Sequence, residues 1–189
     1  MKKGALVVVS GPSGVGKTTV VQELLKRPGV TRSISATTRP SRGQEIDGRD
    51  YFFWSAERFD AGVQKGEFLE HATVNGKSYG TPRKAVEEAV AAGKVILLAI
   101  DVQGAAALRA MKMPFVGVFI APPSIEELER RIKGRGDTTP EDAARRLALA
   151  KVELKETGKY DVVVINVTVA QTVADILAEL RKRNLLEAK

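Results

Sequence analysis

The sequence predicts an α/β fold in which a parallel β-sheet is flanked by helices. Four short apolar segments, each followed by a loop and then by a segment with helical periodicity, indicate this architecture. They cover residues 5–10, 94–101, 115–120 and 161–166. A glycine-rich loop directly follows the first segment. The strand and helix alternation is interrupted in two stretches, residues 33–82 and 124–151, which we expect to be insertions into the sheet-forming core.

The first predicted strand, residues 5–10, leads into a loop that is typical of nucleotide-binding proteins. The loop contains the pattern G-x-x-x-x-G-K-[ST], and residues 19–25 after it are apolar at helical spacing. Its glycines allow successive backbone N–H groups to point inward and form a nest for phosphate oxygens at a helix N-terminus. We therefore expect a P-loop NTPase-type fold that binds a nucleoside triphosphate through Gly11, Pro12, Ser13, Gly14, Val15, Gly16, Lys17, Thr18 and Thr19.

Three side chains that follow the first two predicted strands have predicted chemical roles. Lys17 supplies a mobile positive charge for the β- and γ-phosphates, and the Thr18 hydroxyl is placed to coordinate Mg²⁺. Asp101 follows the second strand, where open α/β sheets bind ligands. Its carboxylate suits a site associated with Mg²⁺; alternatively, Asp101 caps a helix predicted over residues 103–110.

The first insertion, residues 33–82, contains groups suited to a second phosphate. Residues 33–42 combine two arginines with several hydroxyls, and Tyr51 and Tyr79 follow in glycine-flanked turns. A guanidinium group binds two phosphate oxygens at once, and hydroxyl groups complete the shell without adding charge. The sequence therefore favours a kinase, which binds a phosphorylated acceptor beside the nucleoside triphosphate.

The second insertion, residues 124–151, has the features of a movable lid. Ser124 and Glu127 form a capping box that starts one helix, and Thr139 with Pro140 starts another. Arg135 lies between two glycines in the loop that joins these helices. Mobile backbone and a dense set of arginines are what a cover over phosphates requires.

The composition bounds the class of protein. The chain has 189 residues, of which 43% are hydrophobic and none is cysteine, so we expect one globular unit that needs no disulfide bond. No segment approaches the roughly 20 apolar residues of a membrane span. The net charge is +7, but charges alternate in sign along predicted helices, as in residues 125–131, which indicates a solvated surface. We expect a cytoplasmic protein with no membrane or nucleic-acid partner, either a monomer or a homo-oligomer.

Seven ordered segments begin at residues 10, 35, 47, 66, 79, 100 and 120 and read SGPSGVGK, SATTRPSRG, DGRDYFF, GEFLE, YGT, IDVQG and IAPPS. Together they resemble the guanylate kinase family, and the match runs over nearly the whole chain. This resemblance implies transfer of the γ-phosphoryl group of ATP to GMP, giving ADP and GDP, with Mg²⁺ as cofactor. It also implies a core (1–32, 83–123 and 152–189), a GMP-binding subdomain (33–82) and a helical lid (124–151).

The resemblance assigns two sets of GMP-binding residues. Five hold the phosphate: Ser35, Arg39, Arg42, Tyr51 and Tyr79. Three face guanine: Glu70, Thr81 and Asp101. The chemistry of guanine agrees, because a Glu70 carboxylate can accept from N1–H and the 2-amino group while Thr81 donates to O6. Adenine has no N1–H, so AMP would leave buried acceptors unpaired, at a cost of about 1–3 kcal/mol per group.

The same resemblance places arginines of the lid on the ATP phosphates and the moving γ-phosphoryl group. Phosphoryl transfer is catalysed mainly by alignment and charge stabilisation. GMP already offers an ionised oxygen as nucleophile, so no general base is required, and we expect His71 to be a structural or surface residue. Asn166 aligns with a family position near adenine. The predicted catalytic cations are Lys17, Arg39, Arg131, Arg135 and Arg146.

Two positions depart from the family pattern. Ala99 stands where the family often has an acid, which affects the order of the waters around Mg²⁺, and Val167 stands where it commonly has Asp, which affects the adenine contact. Two alternative functions stay open: a non-catalytic guanylate-kinase-like binding module, and a P-loop kinase for another phosphorylated acceptor. The intact phosphate loop and arginines favour the enzyme, and Glu70 favours guanine.

Overall fold

The computed structural model of the protein describes residues 4–74, 76–134 and 139–187. In chain order the elements are β1 (Ala5–Ser10), α1 (Lys17–Leu25), β2 (Val30–Arg32), β3 (Ala36–Thr37), β4 (Phe52–Phe53), α2 (Ala56–Gln64), β5 (Phe68–Val74), β6 (Lys77–Pro82), α3 (Arg83–Ala91), β7 (Val95–Ala99), α4 (Val102–Ala110), β8 (Val116–Ala121), α5 (Ile125–Lys133), α6 (Pro140–Glu153), β9 (Val162–Ile165) and α7 (Val169–Lys182).

The central sheet has five parallel strands in the order β2-β7-β1-β8-β9. The middle strand, β1, is paired on both sides, with Val7 opposite Leu97 and also opposite Val116. Successive residues of β1 are buried on opposite faces, which explains why this strand is apolar throughout rather than alternating. The predicted P-loop NTPase-type α/β fold is therefore confirmed.

Helices cover both faces of this sheet and form two cores. On one face, Val7 and Val9 pack in a cluster with apolar residues of α1, α5, α6 and α7. On the other face, Leu6 and Val8 pack with residues of α3 and α4, and with Leu69 of β5. The helices that contain Arg131 and Arg146, α5 and α6, thus pack on the same face as α1, the helix that follows the phosphate loop.

One strand of the central sheet was not predicted. β2 pairs with β7 at the edge of the sheet, with Val30 opposite Val95. It has only three residues, none of them fully buried, and it ends in Arg32. A strand this short and this polar carries no apolar run, so the four-strand prediction missed it.

A second, smaller sheet lies within residues 36–82, in the order β4-β3-β6-β5. Its core is a separate aromatic cluster around Phe59 and Phe68, whose rings stack with centres 4.5 Å apart. The pairing of β5 with β6 places Glu70 opposite Thr81. The division of the chain into core, GMP-binding subdomain and lid stays a prediction, although residues 36–82 do form a sheet of their own.

The predicted helix caps are present in the lid region. The Ser124 hydroxyl accepts from the backbone N–H of Glu127, and Thr139 accepts from that of Asp142, with Pro140 at the first helical position. Within the described ranges, no helix is long and apolar enough to cross a membrane.

Candidate active site

The carboxyl ends of the parallel strands meet at one edge of the sheet, and the phosphate loop lies there after β1. Gly14 and Gly16 have φ of 86° and 94°, in the left-handed region. A Cβ atom on Gly14 would lie 2.8 Å from a side-chain carbon of Ile132, and one on Gly16 would lie 2.7 Å from Asn166 Nδ2. Both the backbone conformation and the close packing therefore require glycine.

Lys17 lies over this loop at the start of α1. Its Nζ donates a hydrogen bond to the Gly11 carbonyl at 2.7 Å, so the ammonium group already lies against the loop. Burial lowers the pKa of Lys17, whereas the nearby carboxylates of Glu153 and Asp101 act in the opposite direction. Thr18, the next residue, is exposed, which leaves its hydroxyl accessible to a ligand.

Two cavities with mixed polar and apolar linings adjoin at this edge. The first has a volume of about 350 Å³ and is lined by several of the residues predicted to bind GMP, namely Ser35, Tyr51, Glu70, Tyr79 and Asp101. The second has a volume of about 270 Å³, and the phosphate-loop residues Lys17 and Thr18 line it. Ser35 and Tyr51 belong to the walls of both cavities. The structure thus brings two separately predicted sets of residues side by side.

Glu70 is held by the neighbouring strand. The Thr81 hydroxyl donates to Glu70 Oε1 at 2.6 Å, and Thr81 itself is fully buried. Burial raises the pKa of Glu70, although the bond from Thr81 opposes the shift. In this structure Thr81 therefore positions the carboxylate, and the predicted donation to O6 of guanine requires the same proton to leave Glu70.

Asp101 caps a helix, and its association with Mg²⁺ stays a prediction. Its side chain accepts from the backbone N–H of Gly104 at 2.8 Å and caps α4, as the alternative interpretation predicted. It is also exposed and lines the first cavity. His71 is exposed at the same cavity, as expected for a surface residue.

The two arginines of the 33–42 loop differ in their surroundings. Arg39 is only 7% exposed and forms a two-pronged ion pair with Glu45, at 2.8 and 2.9 Å. Its guanidinium carbon lies 5.4 Å from the centre of the Tyr51 ring. Arg42 is exposed, and its backbone N–H donates to Glu45 at 2.7 Å. Bonds from Arg39 and then from Arg42 hold the pKa of Glu45 below its ordinary value.

Two of the three lid arginines lie within the described residues. Arg131 donates to Glu127 at 2.7 Å and also reaches the backbone carbonyls of Asn166 and Val15, at 3.0 and 3.4 Å. Arg146 pairs with Asp142 at 2.8 Å, one helical turn away. Arg135, the third predicted lid arginine, lies outside the described residues.

Asn166 directly follows β9 and is 3% exposed. Its Nδ2 donates to the Val15 carbonyl of the phosphate loop at 2.7 Å, and its Oδ1 accepts from the Thr172 hydroxyl at 2.9 Å. The structure therefore places this side chain in contact with the backbone of the phosphate loop. A contact between Asn166 and adenine stays a prediction.

Two acids of the site were not found from the sequence. Glu45 lies in an irregular turn, where no periodic pattern indicated its partner Arg39. Glu153, the last residue of α6, is 6% exposed, and within the described part of the chain its Oε2 has no hydrogen-bond partner. Burial raises its pKa, and the Lys17 charge opposes the shift. The spacing of seven residues from Arg146, which is two helical turns, could have placed Glu153 on the same face of α6 as Arg146.

The parallel sheet, the glycine-rich loop at its edge and the two adjoining cavities are the features of a P-loop nucleotide-binding protein. A family model described as Guanylate kinase matches residues 3–183. The chain belongs to the guanylate kinase family.

Individual relatives cover most of the chain. A protein of Symbiobacterium thermophilum named guanylate kinase is 48% identical over 177 residues, which are 93% of this chain and 84% of the relative. A guanylate kinase of Parasynechococcus marenigrum is 50% identical over 164 residues, or 86% of this chain and 90% of the relative. The crystal structure of guanylate kinase from Anaplasma phagocytophilum matches with a TM-score of 0.76 and 36% identity, covering 98% of this chain and 89% of that one.

Proposed function

We propose that the protein transfers the γ-phosphoryl group of ATP to GMP, producing ADP and GDP. The observation that carries this proposal is the pair of adjoining cavities, one lined by Lys17 and Thr18 and the other by Glu70 and Asp101. A donor in the phosphate loop and an acceptor near Glu70 would meet at the shared wall. Membership of the guanylate kinase family supports the same pair of substrates.

The acceptor side suits guanine and a phosphate. The Glu70 carboxylate, held by Thr81, is a buried acceptor for the N1–H and 2-amino donors of guanine. Tyr51, Tyr79 and Ser35 line the same cavity and provide neutral hydroxyls for the GMP phosphate. Arg39 lies against Tyr51 and, with Arg42, would supply the positive charge.

The transfer step needs alignment and positive charge rather than a base. An oxygen of the GMP phosphate attacks the γ-phosphorus in line, and the bond to the oxygen of the departing ADP breaks. Charge on the transferring group is stabilised by Lys17 from the loop and by Arg131 and Arg146 from the lid. Arg135 is proposed to act with them, on the family resemblance alone.

The residues at this edge suit Mg²⁺. Within the described residues, no group of three or more acidic, histidine or cysteine side chains could hold a metal ion by itself. Mg²⁺ at such sites commonly keeps waters and takes few protein ligands beside nucleotide phosphates, and the exposed Thr18 hydroxyl is the hard oxygen donor that this arrangement requires. When bound, the ion would neutralise and orient the ATP phosphates.

The remaining expectations are part of this proposal. ATP and GMP as substrates suit a cytoplasmic enzyme. We propose neither a nucleic-acid nor a membrane partner, and both a monomer and a homo-oligomer are compatible with the site, since the described residues of one chain form both cavities.

An ADP-release assay with Mg·ATP tests the reaction, with GMP, dGMP, AMP, UMP or no acceptor added in turn. Turnover that depends on GMP is expected. Replacing the loop lysine, Lys17→Ala, should lower kcat by about 10²-fold or more, since one charge on the transferring group is lost. Lys26→Ala, at an exposed lysine that follows the C-terminal end of the same helix, is the matched control. A folded protein without turnover on any acceptor would favour the non-catalytic binding module instead.

A further inference from the structure

Asn166 forms hydrogen bonds with three parts of the molecule: the phosphate loop, α5 and α7. The proposed reaction requires the phosphate loop and α5 to keep fixed relative positions. Its Nδ2 bonds the Val15 carbonyl of the phosphate loop, and its Oδ1 faces the Thr172 hydroxyl of α7. Its backbone carbonyl accepts from Arg131 of α5 at 3.0 Å. We use the name Asn166 clamp for the set Asn166, Thr172, Val15 and Arg131.

The bond to Val15 satisfies a carbonyl that the loop conformation turns away from the phosphates. Because the loop N–H groups point inward, some of its carbonyls point outward into the protein. Val15 is fully buried, so water cannot replace a lost partner for its carbonyl. Asn166 provides the short bond at 2.7 Å, whereas the contact from Arg131 is long, at 3.4 Å.

The Thr172 hydroxyl orients the Asn166 amide. Its oxygen lies 2.9 Å both from Asn166 Oδ1 and from the Thr168 carbonyl, and it has one proton to donate. The Thr168 carbonyl already accepts from the backbone N–H of Thr172 at 3.0 Å. Because the Thr168 carbonyl already has a donor, the hydroxyl proton of Thr172 is assigned to the hydrogen bond with Asn166 Oδ1.

Both ends of the amide are thus bonded within the protein, and a Cβ on Gly16 would lie only 2.7 Å from Nδ2. Little of the side chain remains accessible to a nucleotide base. On the basis of the proposed function, we propose that Asn166 is a positioning residue that shapes the phosphate loop and places Arg131, and so sets the affinity for the donor's triphosphate rather than for its base.

The test compares ligands that share a triphosphate but differ in base. Calorimetry with Mg²⁺ measures Kd for ATP, for inosine triphosphate, for inorganic tripolyphosphate and for GMP, on the wild type, Asn166→Ala and Thr172→Val. Loss of the Val15 bond should weaken all three triphosphate ligands by the same factor, about tenfold for Asn166→Ala. Thr172→Val should weaken them in the same direction and by less. The Kd for GMP should stay within twofold.

Matched variants separate positioning from a loss of folding. Thr172→Ser keeps the hydroxyl and should bind like the wild type, and Gln171→Ala changes an exposed neighbour on the same helix. If Asn166→Ala does not fold, the Val and Ser variants at residue 172 carry the test. Unchanged GMP affinity shows that a variant is folded.

Three results would overturn the clamp: weaker ATP with unchanged tripolyphosphate, which assigns Asn166 to the adenine base; equal affinities in all variants; or equal loss in the Ser and Val variants at residue 172. Because these are binding measurements, they do not depend on turnover. A wild-type protein that binds ATP and tripolyphosphate but neither binds nor phosphorylates GMP would instead refute the proposed function, while leaving the clamp testable.

Discussion

Each described arginine that is proposed to act in catalysis has a carboxylate partner close in sequence. Arg39 pairs with Glu45, Arg131 with Glu127 and Arg146 with Asp142. The bonds from Arg130 and then Arg131 hold the pKa of Glu127 at about 2, so this partner stays ionised across the working range of pH. A guanidinium has five N–H donors and a carboxylate occupies at most two of them, so these pairs orient the arginines and leave donors for phosphate.

Glu70 is the residue on which base selectivity should depend. Glu70→Gln replaces one acceptor oxygen by an NH₂ group, which faces the donors of guanine. We expect kcat/KM for GMP to fall by about 10- to 100-fold, with a much smaller change in the KM for ATP. Steady-state kinetics with GMP and AMP measures the effect, with Glu88→Gln, at an exposed residue of α3, as control. Unchanged preference for GMP over AMP would remove Glu70 from guanine recognition.

The pH dependence of guanosine binding follows from the raised pKa of Glu70. Burial favours the neutral carboxyl, so protonation begins at a higher pH than for a carboxyl in water. A protonated Glu70 loses acceptor capacity. The affinity for guanosine should therefore fall as the pH decreases through this raised pKa, and the fall should begin at a pH above 4.5, the ordinary pKa of a glutamate. Guanosine is the probe because it has no phosphate to titrate. Glu70→Gln should remove this dependence, and an equally steep fall in that variant would contradict the assignment.

At the scale of secondary structure, the strands and helices could be predicted from the sequence where the signal for them lies within a few neighbouring residues. The apolar runs of β1, β7, β8 and β9 and the caps at Ser124 and Thr139 are signals contained within a few neighbouring residues. The short edge strand β2 has no such signal. Glu45 lies in an irregular turn, and the Asn166 clamp depends on contacts between segments distant in sequence, neither of which local patterns encode. Glu153 could have been placed on its helix face from local spacing, but its proximity to Lys17 could not.

Glu153, the last residue of α6, is expected to lower the stability of the folded protein at neutral pH. Its pKa is raised because burial outweighs the attraction of Lys17, so the folded state favours the neutral form. Glu153→Gln imitates that form and should be more stable than the wild type at pH 7.5, by on the order of 1 kcal/mol per unit of pKa shift. The advantage should shrink as pH falls through the raised pKa and vanish below about 4.5.

Thermal unfolding of the two proteins from pH 4 to pH 8 measures this difference. Glu156→Gln is the control, at a partly exposed acid that pairs with Lys159 in a 3₁₀ helix (Leu154–Lys159) directly after α6. A Glu153→Gln protein that is less stable than the wild type at every pH would show that the Lys17 attraction dominates.

At the scale of the whole molecule, residues of the proposed lid and of the proposed GMP-binding subdomain both lie near the phosphate loop: Arg131 reaches the Val15 carbonyl, and Tyr51 lines the cavity of Lys17. Closure over both substrates would exclude water, which otherwise competes as acceptor. Small-angle scattering should therefore show a smaller radius of gyration with GMP plus a non-hydrolysable ATP analogue than without ligands. Each ligand alone should give a smaller change. An unchanged radius with both ligands at saturation would contradict the three-part division.

Ser35 and Tyr51 form a wall that the two cavities share, and this arrangement has a consequence for inhibition. Because the two cavities adjoin, one molecule with a guanine at one end and a chain of phosphates leading to an adenosine at the other could occupy both at once. Such a molecule loses its translational and rotational freedom only once, so its affinity can exceed that of either half by far. The same geometry that would bring donor and acceptor together thus defines the length of a linked inhibitor.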